Sequence, residues 1–121
     1  MIARAKAKSV PSESLEHLAE RIRDIVGDDP RIREKTMFGG LTFLLNGHIL
    51  VAAKKDGRIL LSVGKEHNDE ALVLAGATQM LHGGRSMRGF VWIDGEAIED
   101  DSDLKTCLDM AFRWLERLPP K

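Results

Sequence analysis

The chain has 121 residues, room for one domain around one core. A hydrophobic share of 43% and a charged share of 31% are those of a soluble globular protein and exclude low-complexity disorder, and no apolar run reaches the ~18–20 residues of a membrane-spanning helix, so no membrane partner is expected. Net charge is −1, so the whole-surface basic field of a non-specific DNA binder is absent.

Cys107 is the single cysteine, which rules out an internal disulfide. It sits in an apolar helical pattern, and a reducing, cytoplasmic location is expected. Residues 1–10, MIARAKAKSV, read as a short basic arm without the apolar stretch of a signal peptide; the domain proper is expected over residues 11–121. Pro11-Ser12 opens the first helix, with Ser12 as its cap and Glu13 and Glu16 at the positive end of its dipole. Leu15, Leu18, Ile22, Ile25 and Val26 give it one apolar stripe. Gly27 ends it and Pro30 forbids continuation. Residues 31–35 lead into the sheet.

Residues 36–63 read as three strands joined by two-residue turns at Asn46-Gly47 and Asp56-Gly57, pairs that favour positive φ and suit the twist of antiparallel strands. These turns set a register with Leu45 opposite His48, Phe43 opposite Leu50 and Ala52 opposite Leu61. One face then collects Leu41, Phe43, Leu45, Leu50, Ala52, Ile59, Leu61 and Val63, and the helices are expected on it. The other collects Thr42, Leu44, Ile49, Val51, Ala53, Leu60 and Ser62. That second face is too apolar for water alone, so a second subunit, a partner protein or part of the chain is expected to cover it.

Residues 66–74 read as a short helix stopped by Gly76, residues 77–82 as a strand and residues 90–93 as another, after the basic glycine-rich link 83–89. The last helix has the strongest periodicity, through Leu104, Cys107, Leu108, Ala111, Phe112, Leu115 and Leu118. Asp101 or Ser102 caps it and Pro119-Pro120 closes it. The fold class is α+β: an antiparallel five-stranded sheet with flanking helices in the order α-β-β-β-α-β-β-α.

No metal or nucleophile signature is written in this order of residues. His17, His48, His67 and His82 have no histidine four residues on, and no Cys-x-x-Cys is present. Cys107 falls on a core stripe, and Asp100, Asp101 and Asp103 suit a helix start. No cofactor is expected. Two glycine pairs, Gly39-Gly40 after Phe38 and Gly83-Gly84 before Arg85 and Arg88, fit turns and bulges; were they to meet, Phe38, Gly39, Gly40, Arg85 and Arg88 would cradle an anion through amides and guanidinium groups. Charge is polarised: residues 31–58 carry a net +4 and residues 94–116 a net −6.

The order EKTMFGGLTFLLNGHILVA, ILLSVGKE, AGATQM, GRSMRGFVWI and a terminal helix ending LPPK resembles the TfoX/Sxy N-terminal-domain family, from about Leu15 to the end. Met37-Phe38-Gly39-Gly40, the Asn46-Gly47 hairpin and residues 84–89 carry the likeness. The resemblance implies a five-stranded antiparallel sheet similar to secretion-chaperone-like folds. It also implies a regulatory context: the namesakes are positive regulators of natural competence thought to work with the cyclic-AMP receptor protein, and they carry a second, C-terminal domain. The expectation here is a stand-alone single-domain member. The resemblance transfers no catalytic residue.

The leading expectation is a non-enzymatic protein-interaction module with Leu44, Ile49, Val51 and Leu60 at its interface, binding a partner protein or a second copy. The alternative is a small-ligand or anion-binding domain built on the glycine-rich segments with Arg85 and Arg88. A third reading is direct nucleic-acid binding through Arg31, Arg33, Lys54, Lys55 and the amino-terminal arm.

Overall fold

The computed structural model describes residues 11–37 and 39–121, with side chains described from residue 15 onward. The basic arm, the Ser12 cap and Phe38 lie outside the described residues or side chains. The elements are α1 (Pro11–Val26), β1 (Ile32–Met37), β2 (Gly40–Leu45), β3 (His48–Lys54), β4 (Ile59–Ser62), a 3-10 turn (Lys65–His67) leading into α2 (Asn68–Leu72), β5 (Ala77–His82), β6 (Arg85–Ile93), a second 3-10 turn (Gly95–Ile98) and α3 (Asp101–Leu115). Among the described residues one antiparallel sheet holds six strands in the order β1-β2-β3-β4-β6-β5.

The expected five strands therefore become six, and the order becomes α-β-β-β-β-α-β-β-α. The additional strand is β1, IREKTM, which pairs with β2 along its whole length. Its charged, exposed middle carries no apolar alternation because it is a sheet edge, where charge discourages pairing with another chain. The Gly39-Gly40 pair belongs to the β1–β2 bend. Gly39 has φ 70°, and a Cβ on Gly40 would collide with the Ala53 carbonyl oxygen.

Two register details differ from expectation, and together they leave β2 and β4 on their expected sides. Leu45 does face His48, but the pairing shifts between Phe43 and Leu44, so that Phe43 faces Val51 and Leu41 faces Ala53. Leu50 is the extra residue of a β-bulge, and Leu50 and Val51 both enter the core beside Phe43. The second loop is one residue longer than expected. Lys54 N–H donates to the Arg58 carbonyl (3.0 Å) and Gly57 N–H to the Lys54 carbonyl (3.1 Å), so residues 55–57 form a three-residue loop with Gly57 at φ 92°. Val51 then faces Leu61, Ala52 faces Leu60 and Ala53 faces Ile59. Val51 and Ala53 thereby join the core, and Ala52 moves to the outer face.

The three helices of the described residues pack on one face. Leu18, Ala19 and Ile22 of α1, Ala71 of α2 and Leu104, Leu108, Ala111 and Leu115 of α3 are buried with Phe43, Val51, Ile59, Leu61, Val91 and Ile93 of the sheet. Each large side chain here contributes about 1.5–3 kcal/mol. The cap of α3 is Asp100, one residue before the expected Asp101 or Ser102; its carboxylate accepts from Ser102 N–H at 3.1 Å. Arg21 ties α1 to this start, donating to Asp101 Oδ1 (2.8 Å) and to the Ile98 carbonyl (2.5 Å). The tail latches the β2–β3 hairpin: Lys121 N–H donates to the Asn46 carbonyl (2.9 Å), and His48 Nε2 meets the Pro119 carbonyl at 2.8 Å.

Candidate functional site

Alternation along the strands sends Thr42, Leu44, Ile49, Ala52, Leu60, Ser62, Phe90 and Trp92 to the face opposite the helices. Among the described residues no helix packs there, yet Thr42, Ala52, Leu60 and Ser62 are at most 4% exposed, so the chain itself shields the middle of this face and leaves Leu44, Ile49, Met80, Phe90 and Trp92 half-buried and Met87 exposed. The face holds a groove of about 320 Å³ lined by Ile49, Ala52, Lys54, Leu60, Met80, His82, Met87, Phe90 and Trp92. Thr42 Oγ1 is buried on this side without a hydrogen-bond partner among the described residues.

The far wall of the groove comes from an irregular β5–β6 hairpin. Gln79 pairs with Val91, but Leu81 pairs with Ser86, so the stretch from Met87 to Phe90 lies opposite Met80 alone. Side chains fill the break in the ladder. Asn68 Nδ2 donates to Gln79 Oε1 (2.7 Å), Gly89 N–H donates to Asn68 Oδ1 (2.7 Å), and Gln79 Nε2 donates to the carbonyls of Met87 (3.0 Å) and Phe90 (3.1 Å). Gly89 has φ 101°, and its carbonyl accepts from Val63 N–H at 2.8 Å. The kink is thus a satisfied polar joint that sets Met80 and Met87 against Ile49 and Leu60.

Cations border the groove. The Arg58 guanidinium lies 4.1 Å from the Trp92 ring centre and Lys54 Nζ lies 5.9 Å from it. Asp56 in the adjoining loop accepts from Arg58 Nε at 2.9 Å.

Of the expected interface set, Leu44, Ile49 and Leu60 lie on this face, Leu44 and Ile49 half-buried and Leu60 buried. Val51 does not: the bulge turns it into the helix-side core, where it is fully buried. The expected anion cradle does not assemble. Gly40 pairs with Lys54, at the strand end where Ile59 meets Ile93, whereas Arg85 and Arg88 lie beyond Phe90 at the other end of β6. Arg88 instead pairs with Asp69 at 3.3 Å. Of the cations expected to meet nucleic acid, Arg31 is bound to Asp29 (2.7 Å) and Glu116 (3.1 Å). Met80, Met87, Phe90 and Trp92 are not legible in the sequence as a group; the alternate spacing of Phe90 and Trp92 is the available signal.

A second cleft, about 370 Å³, lies between α2 and α3 and is lined by His67, Glu70, Met110, Arg113 and Arg117. His67 Nδ1 lies 3.3 Å from a Glu70 carboxylate oxygen, and Arg117 pairs with Glu66 at 3.4 Å. Among the described residues no cluster of three His, Cys, Asp or Glu side chains could hold a metal ion. Burial, with a smaller effect of Asp103, pushes the Cys107 thiol up to about 11, far from a nucleophile's range. No described helix is long and apolar enough to cross a membrane.

These features define a two-layer α+β domain, helices against one side of an antiparallel sheet and an apolar groove on the other. The sequence model of the TfoX N-terminal domain matches residues 24–114, and the chain belongs to that family. Neither a curated protein nor a solved structure matches the chain.

Proposed function

We propose that this protein is a non-catalytic protein-interaction module related to transcription regulators, with the outer sheet face as its docking surface. The observation that carries the reading is the groove itself: Ile49, Met80, Met87, Phe90 and Trp92 remain partly accessible around a floor that includes buried Leu60, on a face that no described helix covers. Methionine-rich apolar surfaces adapt to partner side chains, and aromatic anchors dominate binding energy. Family membership supports a regulatory setting.

The test compares capture from a cell lysate by the wild-type chain and by an Ile49→Asp, Met87→Glu chain, with bound proteins identified by mass spectrometry. Ile49 is half-buried and Met87 exposed, so both charges reach solvent and the fold survives. The reading expects specific proteins retained by the wild type and lost by the variant at unchanged circular dichroism. Equal capture by both chains contradicts it.

A further inference from the structure

Resting on that docking reading, we infer that the groove takes an acidic protein segment carrying apolar anchor side chains. Charge divides unequally between the two faces of the sheet. The one carboxylate within the described strands is Glu34, and it points to the helix side, where Arg23 donates to it at 2.7 Å. The outer face carries Arg33 opposite Leu44 and Lys35 opposite Thr42 on the β1 edge, one strand beyond the groove lining, with Lys54 and the Asp56-paired Arg58 beside Trp92. An apolar trough bordered by cations is complementary to apolar anchors flanked by Asp or Glu.

A second copy fits less well. Its described strands offer no outward carboxylate to meet Arg33, Lys35 and Lys54, because Glu34 points to the helix side. Single-stranded nucleic acid fits the cations but not the trough. Arg58 already covers the Trp92 ring, and beside Phe90 and His82 the lining is aliphatic and thioether, Ile49, Ala52, Leu60, Met80 and Met87, where a run of stacking platforms would be needed. The groove volume of about 320 Å³ accommodates a few side chains of a segment, near the lower end of the ~300–1,000 Å³ range of ligand pockets.

The experiment is fluorescence anisotropy on the full chain with labelled peptides of about fifteen residues, Leu and Phe at i, i+3, i+4 and i+7. One peptide has Glu at the remaining positions, one has Lys, and one keeps Glu but replaces Leu and Phe by Ser; oligothymidylate is the nucleic-acid arm. The expected result is binding of the Glu peptide that weakens as salt rises, at least about tenfold weaker binding of the Lys peptide, and none of the Ser peptide or oligothymidylate. An Arg33→Glu, Lys35→Glu chain, altered only at exposed edge positions, loses about tenfold for the Glu peptide. Equal binding of the Glu and Lys peptides overturns the acidic preference and leaves the docking reading standing. Binding of oligothymidylate alone overturns both. Binding of no peptide overturns this inference, and the capture experiment then decides the docking reading separately.

Discussion

Asn68 and Gln79 clasp each other through their side-chain amides at 2.7 Å, and together they satisfy the backbone where β6 leaves its ladder. Asn68 is fully buried. Removing its amide in Asn68→Ala strands the Gly89 N–H and one side of Gln79. The expected loss is about 2–3 kcal/mol, read as a lower urea midpoint. An unchanged midpoint would show that the joint does not hold the kink.

Thr42 offers the opposite sign. Its hydroxyl is buried on the outer face without a partner among the described residues, so Thr42→Val removes an unsatisfied group and keeps the shape. Stability is expected to rise by about 1 kcal/mol in the same urea measurement. A loss would mean that the hydroxyl has a bonding role.

These two positions mark the limit of what the chain declares. The helix stripes are legible because Leu18, Ile22, Leu104 and Leu108 recur at helical spacing, and the family pattern is legible in the order of its motifs. Strand β1 is not, because an edge protected by Arg33, Glu34 and Lys35 has no apolar alternation. Val51 reads onto the wrong face because residues 49–53 are all apolar, and an unbroken run carries no phase to reveal a bulge. The groove depends on Asn68 and Gln79, eleven residues apart and joined only by the fold.

Acidification should weaken the fold through its ion pairs. Hydrogen bonds from the Arg31 side chain and backbone bring Asp29 down to about 2, and Arg23 lowers Glu34. A carboxylate held below its ordinary value stabilises fully above that value, and the contribution fades as pH falls through the folded value. The urea midpoint of the wild type should therefore drop between about pH 4 and pH 2 more steeply than that of Asp29→Asn. Parallel curves would count against the Asp29–Arg31 pair.

Cys107 should be silent in the native state. With the thiol buried and raised to about 11, it remains protonated at about pH 8. A thiol reagent such as dithionitrobenzoate is expected to react with the denatured chain and hardly at all with the folded one. Rapid native reaction would place the side chain at the surface.

The docking face is tested most directly by methionine-methyl NMR during titration with a captured partner or the Glu peptide. Met80 and Met87 line the groove, while Met110 lies on the helix side and serves as an internal reference. Shifts of the Met80 and Met87 methyl signals with Met110 unmoved are the expected result. Binding that moves Met110 and leaves Met80 and Met87 in place would contradict the account.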